Sequence, residues 1–250
     1  MIDLYGMSSP NVLKITIMLE ECELPYRTRH VNVFAGEQFE PGFLRLNPNN
    51  KVPVIVDPEG PEGRPFVVFE SGAILLYLAR KAGRLLPAAP EARSVVEQWL
   101  MFQVASVGPM FGQCVHFLRY APPGNEYSRE RYTSEVNRIL GVLERRLGEV
   151  PWIGGAEYSI ADIATFPWIR TAMLIFPWLG AGTEPAPSPE QALGKYPALC
   201  RWFVRTSERP AVARGIAAVD AFLSSDIRAF KSASSDDLDR FLGRGRFAHR

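Results

Sequence analysis

Along roughly the first 85 residues, short apolar runs alternate with stretches of helical period. Ile2 to Tyr5 is an apolar run of strand length. Ser8-Ser9-Pro10-Asn11 follows with turn and cap chemistry, after which Val12, Ile15, Leu19 and Cys22 recur at helical spacing. Tyr26 to Phe34 alternates as a second strand, and Phe39, Phe43 and Leu46 predict a short helix closed by Asn47-Pro48-Asn49-Asn50. Val52 to Val56 predicts a third strand. A turn rich in Pro and Gly spans Asp57 to Pro65, and Phe66 to Phe69 is the fourth strand. Ser71 then stands at the cap of a helix with Ile74, Leu75, Leu78 and Ala79 on one face. The predicted order is βαβ, a short helix, then ββα.

The character changes after Leu86-Pro87-Ala88-Ala89-Pro90, a Pro/Ala linker. Glu91 to about Tyr120 reads as a long helix with Val95, Trp99, Phe102 and Val107 inward, and Gly108-Pro109 predicts a kink or break in it. Tyr127 to Gly148 carries Tyr132, Val136, Ile139, Leu140, Leu143 and Leu147 on one face. Ser159-x-x-Asp162 opens another helix as a capping box with Asp in place of Glu, which accounts for Asp162 as a folding residue. Leu193 to Glu208 and Ala211 to Leu223 complete the set, after a loop over 183–191. Three segments result: an α/β domain over 1–86, an all-helical domain over 91–223, and a flexible or surface-draped tail over 224–250.

Composition narrows the function. The 250 residues are 47% hydrophobic with a net charge of +1, so no bulk positive field is present to hold nucleic acid. No apolar run reaches membrane-spanning length, and the start lacks a signal-like apolar segment, which predicts no membrane partner and a cytoplasmic location. Cys22, Cys114 and Cys200 are too few and too scattered for a disulfide framework or a zinc site, and the 3 histidines suggest no metal centre. Cys22 lies on the apolar stripe of the first helix, where burial is the simpler reading.

Three local features carry a resemblance: Ser9-Pro10-Asn11 before the first helix, Asn47-Pro48-Asn49-Asn50-Lys51-Val52-Pro53 at the third strand, and Phe69-Glu70-Ser71-Gly72 running into Leu78. With Gly108-Pro109-Met110 and Trp152-Ile153-Gly154-Gly155 through Ala164, their order resembles the glutathione transferase superfamily over roughly residues 1–220. The likeness is greatest to the bacterial nu class, glutathione-dependent disulfide-bond reductases. The resemblance implies a thioredoxin-like N-terminal domain, an all-α C-terminal domain, a homodimer, no tightly bound cofactor, and glutathione (reduced or as its disulfide) as co-substrate with a small disulfide or electrophile.

It also assigns candidate residues, each with a plainer alternative. Ser71 and the N-terminus of its helix would take the γ-glutamyl carboxylate, and Glu70 the ligand ammonium group; a simple N-cap is the alternative for Ser71. Val52, if the Val52–Pro53 bond is cis as in the family, would pair its backbone with the cysteinyl unit; a trans Pro at a strand edge is the alternative. Lys51 would meet the glycine carboxylate or be an ordinary exposed lysine, Gln38 would help hold the peptide or be a surface polar residue, and Arg131 would contact a carboxylate or lie on a solvated face. Ser9 and Asn11, at the start of the first helix, are the catalytic candidates, with Ser8 as the other possible hydroxyl donor and a plain helix cap as the alternative for both. A free thiol of pKa near 8.5 is about 7% ionised at pH 7.4, and lowering that pKa by roughly two units takes about 2.7 kcal/mol. A helix end supplies up to ~1–2 kcal/mol and one hydrogen bond to a charged group ~1.5–3 kcal/mol, so one or two donors suffice. The position before Pro10 is Ser9, not Cys, so disulfide reduction here would use glutathione itself as the nucleophile. A conjugating transferase for small electrophiles would use the same residues, and a non-catalytic glutathione-binding or regulatory protein is the reading from another class.

Overall fold

The computed structural model describes residues 1–180 and 187–247. The described chain forms two compact units, Met1–Ala82 together with Ala211 onward, and Gly83–Pro210.

The first unit is built on a four-stranded sheet of order β2-β1-β3-β4. Its strands are β1 (Ile2–Gly6), β2 (Tyr26–His30), β3 (Val54–Asp57) and β4 (Phe66–Phe69). β1 runs parallel to β2, with Ile2 opposite Tyr26, and antiparallel to β3, with Tyr5 opposite Val54. β3 pairs antiparallel with β4, with Val54 opposite Phe69. This is the small mixed sheet that the resemblance implies, a thioredoxin-like arrangement. β2 and β3 are each shorter or later than the apolar runs suggested, because Val31, Val33 and Phe34 leave the sheet as buried loop residues and Val52 precedes the ladder.

Two helices, α1 (Pro10–Glu21) and α3 (Ser71–Ala82), pack against one another, burying Val12, Ile15 and Leu19 with Leu75 and Leu78. Each such side chain contributes about 1.5–3 kcal/mol when fully buried. The predicted short helix is a turn over Glu37–Phe39 followed by α2 (Pro41–Leu44).

The chain returns to this unit near its end. The helix expected to stop near Leu223 runs on to Ser232, and so does not end at the predicted domain boundary. We number the remaining helices α4 (Pro90–Phe102), α5 (Gly108–Arg119), α6 (Glu126–Glu149), α7 (Ile160–Ile175), α8 (Pro189–Ala192), α9 (Pro197–Ser207), α10 (Pro210–Ser232) and α11 (Ser235–Leu242). α10 lies directly on α1: a Cβ at Gly215 would fall 2.8 Å from the backbone nitrogen of Ile17, and the Thr16 hydroxyl donates to the Gly215 carbonyl at 2.9 Å. The stretch Ser232–Asp237, read as flexible, contains the start of α11: the Asp237 N–H donates to Ser234 Oγ at 3.2 Å, and the Ser234 N–H to Asp237 at 2.9 Å. Ala229, Ala233, Leu238 and Phe241 pack on a cluster of Val31, Val33, Phe34, Phe43 and Val54, so the segment expected as a tail from residue 224 is helical and seated.

The second unit is helical. The predicted break before Gly108-Pro109 is a widened π-helical turn over Gln103–Val107 between α4 and α5. The buried stripe of α4 is Val96 and Leu100, one residue away from the expected Val95 and Trp99. The predicted face of α6 is buried at Val136, Ile139, Leu140, Leu143 and Leu147. Asp162, fully enclosed, accepts from Ile153 N–H (2.8 Å), Trp202 Nε1–H (2.8 Å) and Ser159 N–H (2.9 Å), so it ties the start of α7 to α9 and the preceding loop. Burial pushes its carboxyl pKa up while these donors oppose the rise. Of the predicted loop over 183–191, Thr183 to Ala186 lie outside the described residues, and Ser188 caps α8.

Candidate functional site

The loop from β1 into α1 presents two adjacent serines in different circumstances. Ser9 is extended, with φ −143° and ψ 154°, and its Oγ accepts the Val12 N–H at 3.3 Å, which makes it the N-cap of α1. Its hydroxyl hydrogen has no acceptor among the described residues. The Ser8 hydroxyl, by contrast, donates to Asp226 Oδ2 at 2.6 Å, and the Ser8 N–H reaches the same oxygen at 2.7 Å. Asp226 comes from α10, is 5% exposed, and holds His30 Nε2 at 2.7 Å through its other oxygen. Ser8 is therefore engaged, and Ser9 is the hydroxyl that remains to meet a ligand. Asn11 sits half-buried in the first turn of α1.

At the start of α3 the Ser71 hydroxyl, itself buried, accepts from Lys14 Nζ at 3.1 Å. Lys14 is 2% exposed on a helix whose neighbouring faces are all buried. Desolvation pulls its pKa down to about 7, with the Glu70 carboxylate acting in the opposite direction. Glu70 is exposed, holds φ +69°, and accepts from Asn49 Nδ2 at 3.2 Å. A non-glycine residue in that left-handed region costs about 1–3 kcal/mol, a pattern concentrated at ligand sites. The orphan N–H groups of the first turn, with an ammonium behind Ser71 and a carboxylate beside it, suit a ligand bearing both an anion and a cation.

The Val52–Pro53 bond is cis. Val54 pairs with Phe69, so continuing that register sets Val52 opposite Ser71 at the same end of the sheet. Among the described residues no hydrogen bond takes up the Val52 N–H or C=O. Asn47 shapes this turn, donating to the Lys51 carbonyl at 2.6 Å and accepting the Asn49 N–H at 2.9 Å. Lys51 is exposed. Gln38 is 3% exposed and turned inward, its Nε2 donating to the Val33 carbonyl at 3.1 Å while its Oε1 has no partner among the described residues.

The first unit thus carries Ser9, Asn11, Lys51, Val52, Pro53, Glu70 and Ser71, with Gln38 beneath its surface. Arg131 belongs to the second unit, on α6, with Glu135 at 3.5 Å. Lys14 and Asp226 were not singled out from the sequence, and Asn47 was read there only as part of the loop before the third strand. Only Lys14 carried a usable signal, a charge inside a run of apolar helix positions. All three cysteines are buried, and burial raises the Cys114 thiol to about 11 and raises Cys200 as well.

Two family models match the chain, the glutathione S-transferase N-terminal domain over residues 8–81 and the glutathione S-transferase C-terminal domain over residues 109–210. The chain belongs to the glutathione S-transferase family. Within that family it is 45% identical over 217 residues to the disulfide-bond oxidoreductase YfcG of Escherichia coli, covering 86% of this chain and 94% of that protein. A glutathione transferase family member from Pseudomonas fluorescens, crystallised with two glutathione molecules bound, superposes with a TM-score of 0.77 at 44% identity, covering 86% of this chain and 92% of that one. A glutathione transferase from Pseudomonas putida with one glutathione disulfide bound per subunit gives 0.76 at 41% identity, covering 86% and 90%. Among the described residues of this glutathione S-transferase no helix is long and apolar enough to cross a membrane.

Proposed function

We propose that this chain is a glutathione-dependent disulfide-bond reductase of the nu type. The observation that carries the reading is the pair of serines before α1: Ser8 is tied to Asp226, while Ser9 caps the helix with its hydroxyl hydrogen to spare. A glutathione thiolate placed there gains a hydrogen bond from Ser9, with Asn11 beside it, and the favourable end of the helix dipole. The γ-glutamyl carboxylate then lies at the α3 N-terminus over Ser71, its ammonium group beside Glu70, and its cysteinyl backbone along Val52. Lys51 and Arg131 are the cations assigned to carboxylates of bound glutathione, and Gln38, though turned inward onto the Val33 carbonyl, is the residue assigned to help hold the peptide.

The reaction needs no protein thiol. The glutathione thiolate attacks one sulfur of the substrate disulfide, the S–S bond breaks, and the other sulfur leaves as a thiolate that takes a proton. A second glutathione attacks the mixed disulfide, releasing the second substrate thiol and glutathione disulfide, so one disulfide is reduced as two glutathione molecules are oxidised. The buried, raised thiols of Cys114 and Cys200 support this assignment of the nucleophile. The names of the relatives, a disulfide-bond oxidoreductase and a protein holding glutathione disulfide, agree with it.

The test is glutathione-dependent reduction of hydroxyethyl disulfide coupled to glutathione reductase. Ser9→Ala is expected to lower turnover about tenfold or more while Ser8→Ala leaves the glutathione thiolate pKa nearly unchanged, because only Ser9 donates to it. Equal effects of both on that pKa would contradict the assignment. Conjugation of small electrophiles without disulfide reduction would move the chain to a transferase role at the same site.

We further propose a homodimer in the cytoplasm. β4 is an edge strand whose Phe66, Val67 and Phe69 are exposed, an apolar patch that a second copy would cover. A monomeric mass by light scattering at micromolar protein would count against the dimer.

A further inference from the structure

The first unit contains a cavity of about 530 Å³ whose lining includes Phe39, Leu44, Lys51, Arg240, Phe241 and Phe247. Its two cations come from distant parts of the chain. Lys51 immediately precedes Val52, and Arg240 stands in the last turn of α11. The Arg240 guanidinium lies 4.6 Å from the Phe39 ring centroid, and a Cβ at Gly36 would sit 2.9 Å from its Nη1, so the side chain follows a defined course over the Gly36–Phe39 turn. A guanidinium stacked on a ring keeps its in-plane N–H donors for a carboxylate.

The acidic side chains of this segment hold other partners, and Asp237, three residues before Arg240, also feels its charge. Asp237 accepts from the Ser234 N–H and hydroxyl at 2.9 and 2.6 Å, Asp239 is paired with Arg244, and Asp236 with Arg246. Among the described residues neither Lys51 nor Arg240 has an ion-pair partner. α11 is itself anchored, through Leu238 and Phe241, on the Val31, Phe34 and Phe43 cluster. The result is a cavity with largely apolar walls and two cations without a direct ion pair, which suits an anion carried on a short organic chain.

The direction of the ligand follows from the register. Val54 pairs with Phe69, which places Val52 and Ser71 just beyond the same end of the β3–β4 ladder, so a peptide along Val52 with one carboxylate at Ser71 leads its other end away from Ser71. We propose that α11 is part of the substrate site: Arg240, beside Lys51, receives the C-terminal carboxylate of the bound peptide thiol and selects γ-glutamyl peptides that end in a free carboxylate. This rests on the glutathione reading above and adds to it a residue from the C-terminal segment.

The experiment is calorimetric binding at low ionic strength of glutathione and of its analogue in which the glycyl carboxylate is a primary amide. The full chain is compared with Arg240→Gln and Arg240→Lys. The wild-type chain is expected to prefer glutathione by roughly tenfold or more, the scale of a hydrogen bond to a charged group. Arg240→Gln should cut that preference at least about fivefold by weakening glutathione alone, and Arg240→Lys, which keeps the charge but loses the planar fork, should cut it less than Arg240→Gln does. An unchanged preference in Arg240→Gln would overturn the inference. Equal weakening of both ligands would also overturn it, since Arg240 would then only hold α11 in place. Absence of glutathione binding by the wild-type chain would instead overturn the functional reading on which the inference stands.

Discussion

Lys14 carries an ammonium group into the apolar interior of the first unit, where it donates to Ser71 behind the N-terminus of α3. Its folded pKa, about 7, lies below the ordinary 10.5. Between those values the unfolded chain binds more protons than the folded one, so stability rises with pH across that window. Below it the full cost of burying the charge is present. Relative to Lys14→Met, the wild-type chain should therefore gain up to about 2 kcal/mol between about pH 7 and about pH 9, read by urea unfolding. Parallel pH profiles for the two proteins would show that Lys14 titrates normally. At this scale the sequence made visible the residues whose chemistry is local to a motif: Ser9 as a cap, Ser71 and Glu70 at a strand-to-helix junction, and Val52-Pro53 before a strand. Asp226 was invisible because its partner Ser8 lies 218 residues away and nothing in the local pattern of α10 marks it. The choice between Ser8 and Ser9 was open for the same reason.

α10 is where helix propensity and packing oppose one another. At Gly215, Ala would be favoured over Gly by about 1 kcal/mol in an exposed helix. Here its Cβ would overlap the Ile17 backbone at 2.8 Å, and forcing atoms into a packed contact costs about 1–3 kcal/mol. The contact is with main chain that cannot swing aside, so packing wins: Gly215→Ala should lower the unfolding free energy, and a variant more stable than wild type would contradict the close approach. The elements themselves were largely readable. β4 begins and ends at the residues predicted, α6 does so within a residue at each end, and the Gly-Pro signal marks the widened turn between α4 and α5. The misread element was the last one. Its polar start looks like a linker, yet Ser234 and Asp237 form a cap. Leu238, Phe241 and Leu242 repeat at helical spacing, but their partners lie near Val31 and Phe34, too far back for any local pattern to reveal.

For the whole molecule, the family determines the frame, a small mixed sheet with packed helices and a separate helical unit, and the chain's own residues specialise it. The C-terminal segment supplies Asp226 to the loop before α1 and Arg240 to the cavity beside Lys51, so a segment read from the sequence as a flexible or surface-draped tail carries side chains to the candidate site. In the function proposed above, the chemistry belongs to a thiol that arrives with the substrate. The protein contributes donors and charge, and its own three thiols are buried. That division of labour is tested most directly by measuring glutathione-dependent hydroxyethyl disulfide reduction by a variant in which Cys22, Cys114 and Cys200 are all replaced by Ala, with its fold checked by circular dichroism. The account predicts a rate within a few-fold of wild type and well above the uncatalysed reaction. A folded variant without catalytic rate would contradict it by returning the nucleophile to the protein.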